Sequence, residues 1–224
     1  MSPHSKTIGA VIVAAGGSSR LGQPKQLLRF RGKSLVYHIV VASRQAGCSP
    51  VIVVIGSDSE KVTGELRSTS AVIVENENWQ RGIGSSIRAG IQGLIDYAPE
   101  IDAVVLLVCD QPGVNADTIR NLINLREATK KSIVASCYAG TLGVPALFNR
   151  SLFDQLLSLP NEAGAKSIIL RNRECVAQLS FPEGAIDIDA WEDWEKLNES
   201  DHTERSEEQV AGSGSQALSV RIIS

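Results

Sequence analysis

The segment V-I-V-A-A-G-G-S-S-R-L-G-Q-P-K-Q, from Val11 to Gln26, restricts the fold more than any other part of the chain. It continues an apolar run that starts at Ile8 and holds a single glycine. Such a run reads as a strand buried on both faces of a parallel sheet. After Ala15 it breaks into Gly16, Gly17, Ser18 and Ser19, and Arg20 and Lys25 follow. Small residues let backbone approach a ligand, and successive turned N–H groups form an anion-binding nest. Two cations beside a nest suit a polyphosphate.

The loop departs from the commoner phosphate loops. Gly17 and Gly22 have the spacing of G-x-x-x-x-G-K-[ST], but Gln23 and Pro24 follow, and no Ser or Thr comes after Lys25. The dinucleotide fingerprint G-x-G-x-x-G is also missing, as is a catalytic His or Tyr in context, which argues against a nicotinamide oxidoreductase. Read as local structure alone, Gly16 to Ser19 is a strand-to-helix turn.

At 224 residues the chain is long enough for one α/β domain with a sizeable core. Strand patterns are expected at 8–14, 51–55, 71–74, 103–108, 132–136 and 176–179. Helix-period segments alternate with them: Leu35, Ile39, Ala42 and Ala46 in 34–46, Ile87, Ile91, Leu94 and Ile95 in 85–97, and a helix capped by Asn115. This alternation implies a single doubly wound, Rossmann-like, mainly parallel sheet. Ligands of such sheets sit at the carboxyl ends of the strands. The expected organisation is one domain over residues 1–198 and an acidic, Ser/Gly-rich, disordered tail over 199–224.

The net charge is −3, and from Glu199 onward five acidic and two basic residues account for it (2 − 5 = −3). The rest is near neutral, without the basic stripe of a nucleic-acid binder. Cys48, Cys109, Cys137 and Cys175 form no C-x-x-C pair, and His4, His38 and His202 have no metal-ligand spacing. Reduced thiols in a cytoplasmic protein are expected. No apolar run reaches membrane-span length, and the N-terminal residues lack the apolar core of a signal peptide.

Asp110 ends the apolar run V-V-L-L-V-C-D-Q-P. It can cap the turn into Gln111-Pro112, or, beside a phosphate loop, bind Mg²⁺, which favours one or two carboxylates with phosphate oxygens. Asp187 and Asp189 in I-D-I-D-A-W-E-D-W offer a second carboxylate, although Asp189 also stands where a helix begins. In N-E-N-W-Q-R-G-I-G-S-S-I-R-A-G, Ser85 and Ser86 open a helix behind Gly82 and Gly84. They suit a ribose or base, or simply cap the helix, and Trp79 reads as a packing residue.

Four collinear segments resemble the molybdenum cofactor nucleotidyltransferases, with a MobA-like NTP transferase domain. The first is A-A-G-G-S-S-R-L-G-Q-P-K, similar to A-x-G-x-S-x-R-[ML]-G-x-x-K. The second is the Asn76–Gly90 stretch, similar to N-x-x-W-x-x-G-x-x-S-S-x-x-A-G. The third is I-D-I-D-A-W-E-D, with Ala190 and Trp191 replacing the usual Thr and Pro. The fourth is T-L-G-V-P-A-L-F with N-E-A-G-A-K, where Val144 replaces a frequent His and Glu162 an Asp.

The resemblance implies a nucleotide-diphospho-sugar-transferase-like fold and a Mg²⁺-dependent transfer of NMP to a phosphate acceptor, releasing pyrophosphate. The donor is an NTP, with CTP favoured over GTP, and the acceptor is molybdopterin or molybdenum cofactor. A molybdoenzyme or its chaperone is an implied partner. Catalysis falls to Arg20, Lys25 and Asp110, and metal binding to Asp110 and Asp189. Nucleotide contacts fall to Ala15, Gly16, Gly17, Ser18, Ser19, Arg20, Lys25, Asn76, Gly82 and Ser85. Acceptor contacts fall to Gly143, Pro145, Gly164 and Lys166. A sugar-phosphate acceptor and a non-catalytic cofactor-binding role are the alternatives; the intact charged set argues against the second.

Overall fold

In the computed structural model residues 7–17 and 23–185 are described. The chain runs β1 (Ile8–Val13), a short hairpin of β2 (Arg29–Phe30) and β3 (Lys33–Ser34), α1 (Leu35–Gln45), β4 (Val51–Ile55), α2 (Ser59–Leu66), β5 (Val72–Glu75), α3 (Ile83–Tyr97) and β6 (Ala103–Val108). It continues with α4 (Ala116–Thr129), β7 (Ile133–Tyr138), β8 (Thr141–Asn149), α5 (Phe153–Leu157), α6 (Lys166–Arg171) and β9 (Val176–Ser180).

Seven strands form one sheet in the order β5-β4-β1-β6-β8-β7-β9, parallel except for β8, which is antiparallel to both neighbours. Successive residues of β1 face opposite layers: Ala10 and Ile12 pack with Val36, Val40, Val62 and Ile119, whereas Val11 packs with Ile87 and Ile91. Helices α1, α2 and α4 therefore cover one face, and α3, α5 and α6 the other. Burial on both faces is why these strands are almost unbroken runs of Val, Ile, Leu and Ala.

The helix starts follow capping chemistry. Ser34 accepts from the Tyr37 N–H, and Asn115 Oδ1 accepts from the Asp117 and Thr118 N–H groups at 2.9 and 3.0 Å. Helix α3 begins at Ile83, ahead of the expected 85, and Ser85 is no cap. Its hydroxyl donates to the carbonyls of Asn78 and Gly82.

Residues 141–149, absent from the strand patterns expected from sequence, form β8. Its Gly143 and Pro145 argue locally against a strand. The ladder accommodates them by a bulge: Ala135 pairs with Ala146, and Ser136 then pairs with Gly143. Side chains replace the missing ladder bonds there. Ser136 Oγ donates to the Pro145 carbonyl at 2.7 Å, and the Tyr138 hydroxyl to the Val144 carbonyl at 3.1 Å.

From β1 the chain winds outward through β4 to β5, then returns to place β6 on the other side of β1. This reversal opens a crevice beyond Val13 and Val108, which are paired at the carboxyl ends of the two strands.

Candidate active site

Two side chains meet at this crevice. Asp110 leaves β6 in the turn after Val108, and Lys25 opens a short 3-10 turn after Pro24. Lys25 Nζ donates to Asp110 Oδ2 at 2.6 Å, with both side chains about four-fifths shielded (21 % and 23 % exposed). Partial burial lowers the local dielectric response and makes the pair more than a surface contact.

Around the pair lies a cavity of about 190 Å³, lined by Ala15, Gly16, Gln26, Trp79, Ile83 and Ser86 among others. The buried Gln26 amide donates to the Gly16 carbonyl at 3.3 Å and so braces the loop after β1. The Trp79 ring lies over Gly17 and Gly56, where an added Cβ would stand 2.9 and 2.6 Å from it. Trp79 is thus both a packing residue, as its sequence context suggested, and a wall of the cavity.

A second cavity of about 190 Å³ adjoins the first and shares Val13, Ile83 and Val108 with it. Its other walls are Ile87, Leu106, Tyr138, Val144 and Ala165, with Gly143, Gly164 and the exposed Lys166. The result is a two-lobed cleft: a lobe at the loop after β1 whose walls are mainly apolar but which Lys25, Asp110, Gln26 and Ser86 make the polar one, and an apolar lobe with one cation. Ile83, 42 % exposed, stands between them.

Other expected residues sit differently. Asn76 Nδ2 donates to the hydroxyls of Ser85 and Ser86, both at 3.0 Å. Of these three, only Ser86 lines the polar lobe; Asn76 and Ser85 face a groove behind it. Gly82, at φ +123°, lies against the 161–162 backbone, so close that a Cβ would stand 2.4 Å from the Asn161 oxygen. Pro145 acts through its carbonyl on Ser136. Ser18, Ser19, Arg20 and Asp189 lie outside the described residues, and no cluster of three metal-ligating side chains occurs among the described ones. Sequence reasoning missed Gln26 and Ile83. A buried amide two residues after Pro24 carries no periodic signal, and the exposure of Ile83 follows only from packing.

The chain matches the MobA-like NTP transferase domain over residues 10–176. It belongs to that family. Among relatives of this MobA-like chain, nicotine blue oxidoreductase of Paenarthrobacter nicotinovorans is 33% identical over 118 residues, 52% of this chain and 55% of that protein. The bifunctional protein GlmU of Desulfitobacterium hafniense is 28% identical over 160 residues, 70% of this chain and 34% of GlmU. The chain thus matches between a third and about half of the length of these curated relatives. Rv0371c of Mycobacterium tuberculosis H37Rv superposes with a TM-score of 0.74 at 29% identity, over 87% of this chain and 98% of that structure. A manganese complex of the same protein matches with a TM-score of 0.69. No helix among the described residues of the MobA-like chain is long and apolar enough to cross a membrane.

Proposed function

We propose that the protein transfers NMP from an NTP, CTP in preference to GTP, to the terminal phosphate of a molybdopterin-type acceptor. The observation that carries this reading is the Lys25–Asp110 pair lining one lobe of a two-lobed cleft. One lobe would take the nucleotide phosphate chain beside Lys25, and its neighbour a mainly apolar acceptor beside Lys166.

An acceptor phosphate oxygen attacks the α-phosphorus, the bond to the bridging oxygen breaks, and pyrophosphate leaves with its charge. The nucleophile is already anionic, so no general base is needed. The protein's task is to orient two anions and offset their repulsion. Lys25 exchanges its carboxylate partner for phosphate oxygens when the nucleotide enters. Arg20 and the Gly16–Ser19 loop hold the departing pyrophosphate, and Gln26 keeps that loop in place. Asn76, Gly82 and Ser85 shape the wall that presents Ser86.

The donor set fits a hard divalent cation: a shielded carboxylate at the strand ends, beside space for phosphate oxygens. Asp110 and Asp189 would hold Mg²⁺, which when bound supplies charge neutralisation on the phosphates. The manganese complex of Rv0371c supports a divalent ion of this kind. The test is to incubate the protein with molybdenum cofactor, Mg²⁺ and each NTP in turn and to measure pyrophosphate. No release with any NTP would refute the reading.

A second reading, a redox reaction on an apolar acceptor, is favoured by the similarity to nicotine blue oxidoreductase and by the apolar lobe. Oxidation of NADH or NADPH without pyrophosphate formation would distinguish it.

A further inference from the structure

Arg88 lies on α3 one residue past Ile87 and faces away from both lobes. It lines the groove behind the polar lobe with Asn76, Asn78 and Ser85. Its guanidinium spans to the turn before α6. Nη1 donates to the Leu159 carbonyl, and Nη2 to Asn161 Oδ1 at 2.6 Å. These are two neutral acceptors on one segment, and the planar fork of arginine fits two at once.

The same turn is pressed onto the first turn of α3. The Gly84 N–H donates to the Asn161 carbonyl at 2.7 Å, and a Cβ on Gly84 would stand 2.0 Å from the Pro160 oxygen. Beyond the turn come Gly164, Ala165 and Lys166, which line the apolar lobe. The helix on the other side of the contact supplies Ile83, shared by both lobes, and Ser86 of the polar lobe.

We propose that Arg88 is a positioning residue: by fastening the 159–161 turn to α3, it sets the distance between the acceptor lobe and the nucleotide lobe. It touches neither lobe itself. The proposal rests on the transferase reading for what the lobes hold. Reaction rates depend steeply on such placement, and an error of about 1 Å costs on the order of 100-fold.

The experiment compares the full chain with Arg88→Met and Arg88→Lys by three measurements: amide hydrogen exchange, CTP affinity, and transfer to molybdenum cofactor. In Arg88→Met, exchange at Gly84 and Ala163 should rise at least about tenfold, while the later turns of α3 stay protected. CTP affinity should stay within about twofold, and kcat/KM for the acceptor should fall about 100-fold. Arg88→Lys should fall between, because one ammonium replaces a two-pronged contact. It also serves if the methionine variant fails to fold. Unchanged exchange at Gly84 would overturn the proposal, as would a CTP affinity loss equal to the acceptor loss. If the wild type releases no pyrophosphate, the transferase reading fails, while the exchange data still decide whether Arg88 fastens the turn.

Discussion

Lys25 Nζ lies 2.6 Å from Asp110 Oδ2, joining residues 85 positions apart at the carboxyl ends of β1 and β6. The contact keeps two charges partnered in a shielded crevice. In the proposed transfer, phosphate would replace the carboxylate as the partner of Lys25, and Asp110 would be left to hold the cation, so that neither charge is stranded. Substituting one member removes a partner from the other as well.

Asp110→Asn separates the turn role from the metal role. Asn is nearly isosteric, so a turn residue would be replaced at little cost. A neutral amide is a poor ligand for Mg²⁺ among phosphates. Pyrophosphate release should fall by a factor on the order of 100 or more, with a cooperative melting transition retained. Lys25→Met should show a comparable loss. Wild-type turnover of Asp110→Asn at saturating Mg²⁺ would remove the carboxylate from the mechanism.

Tyr138→Phe tests the bulge that shapes the apolar lobe. The hydroxyl donates to the Val144 carbonyl at 3.1 Å and accepts from Gln111 Nε2 at 3.4 Å. The ring's edge contact with Phe181, at 6.5 Å between centroids, survives the change. Urea denaturation should show a loss of about 1–2 kcal/mol, the usual worth of one good hydrogen bond and a longer one.

Phe148→Ala addresses the antiparallel strand. Phe148 is fully buried, and its backbone pairs with Val104 on one side and Ile133 on the other. The substitution should cost about 3–5 kcal/mol, because transfer energy is lost and a cavity remains. A shift below about 1 kcal/mol in denaturant titration would show that β8 is not packed as described.

The cysteines should differ in reactivity. Burial pushes the thiols of Cys48 and Cys109 up to about 12, and the Asp110 charge adds to the effect at Cys109. Both therefore remain protonated near neutral pH, whereas Cys175 is exposed. Iodoacetamide at about pH 8 should alkylate Cys175 well before Cys48 or Cys109, as mass spectrometry of the peptides would show. The folded values exceed the ordinary 9.0. Their contribution to stability is therefore intact below 9 and is lost as pH rises from there toward 12. Denaturation midpoints should decline over that alkaline window.

The sequence by itself determined the layered α/β core and the end of the sheet to which the proposed site is assigned. Runs such as Val51–Ile55 and Ala103–Val108 are legible because a strand buried on two faces must be apolar throughout. Gly16 and Gly17 after β1 and Asp110 after β6 mark the carboxyl ends for the same local reason. The capping residue Asn115 was equally readable, since a cap acts within three residues. Only the tertiary structure decided that 141–149 is a strand. Gly143 and Pro145 oppose it locally, and the ladder bonds from β6 and β7 prevail over them. Tertiary contact also turned Asn76 and Ser85 toward each other behind the lobe that Ser86 lines. The pairing of Lys25 with Asp110 and the reach of Arg88 to Asn161, 73 residues away, belong to the same class. Such contacts join side chains whose separation in sequence carries no periodic signal, so they exist only once the sheet has brought its strand ends together.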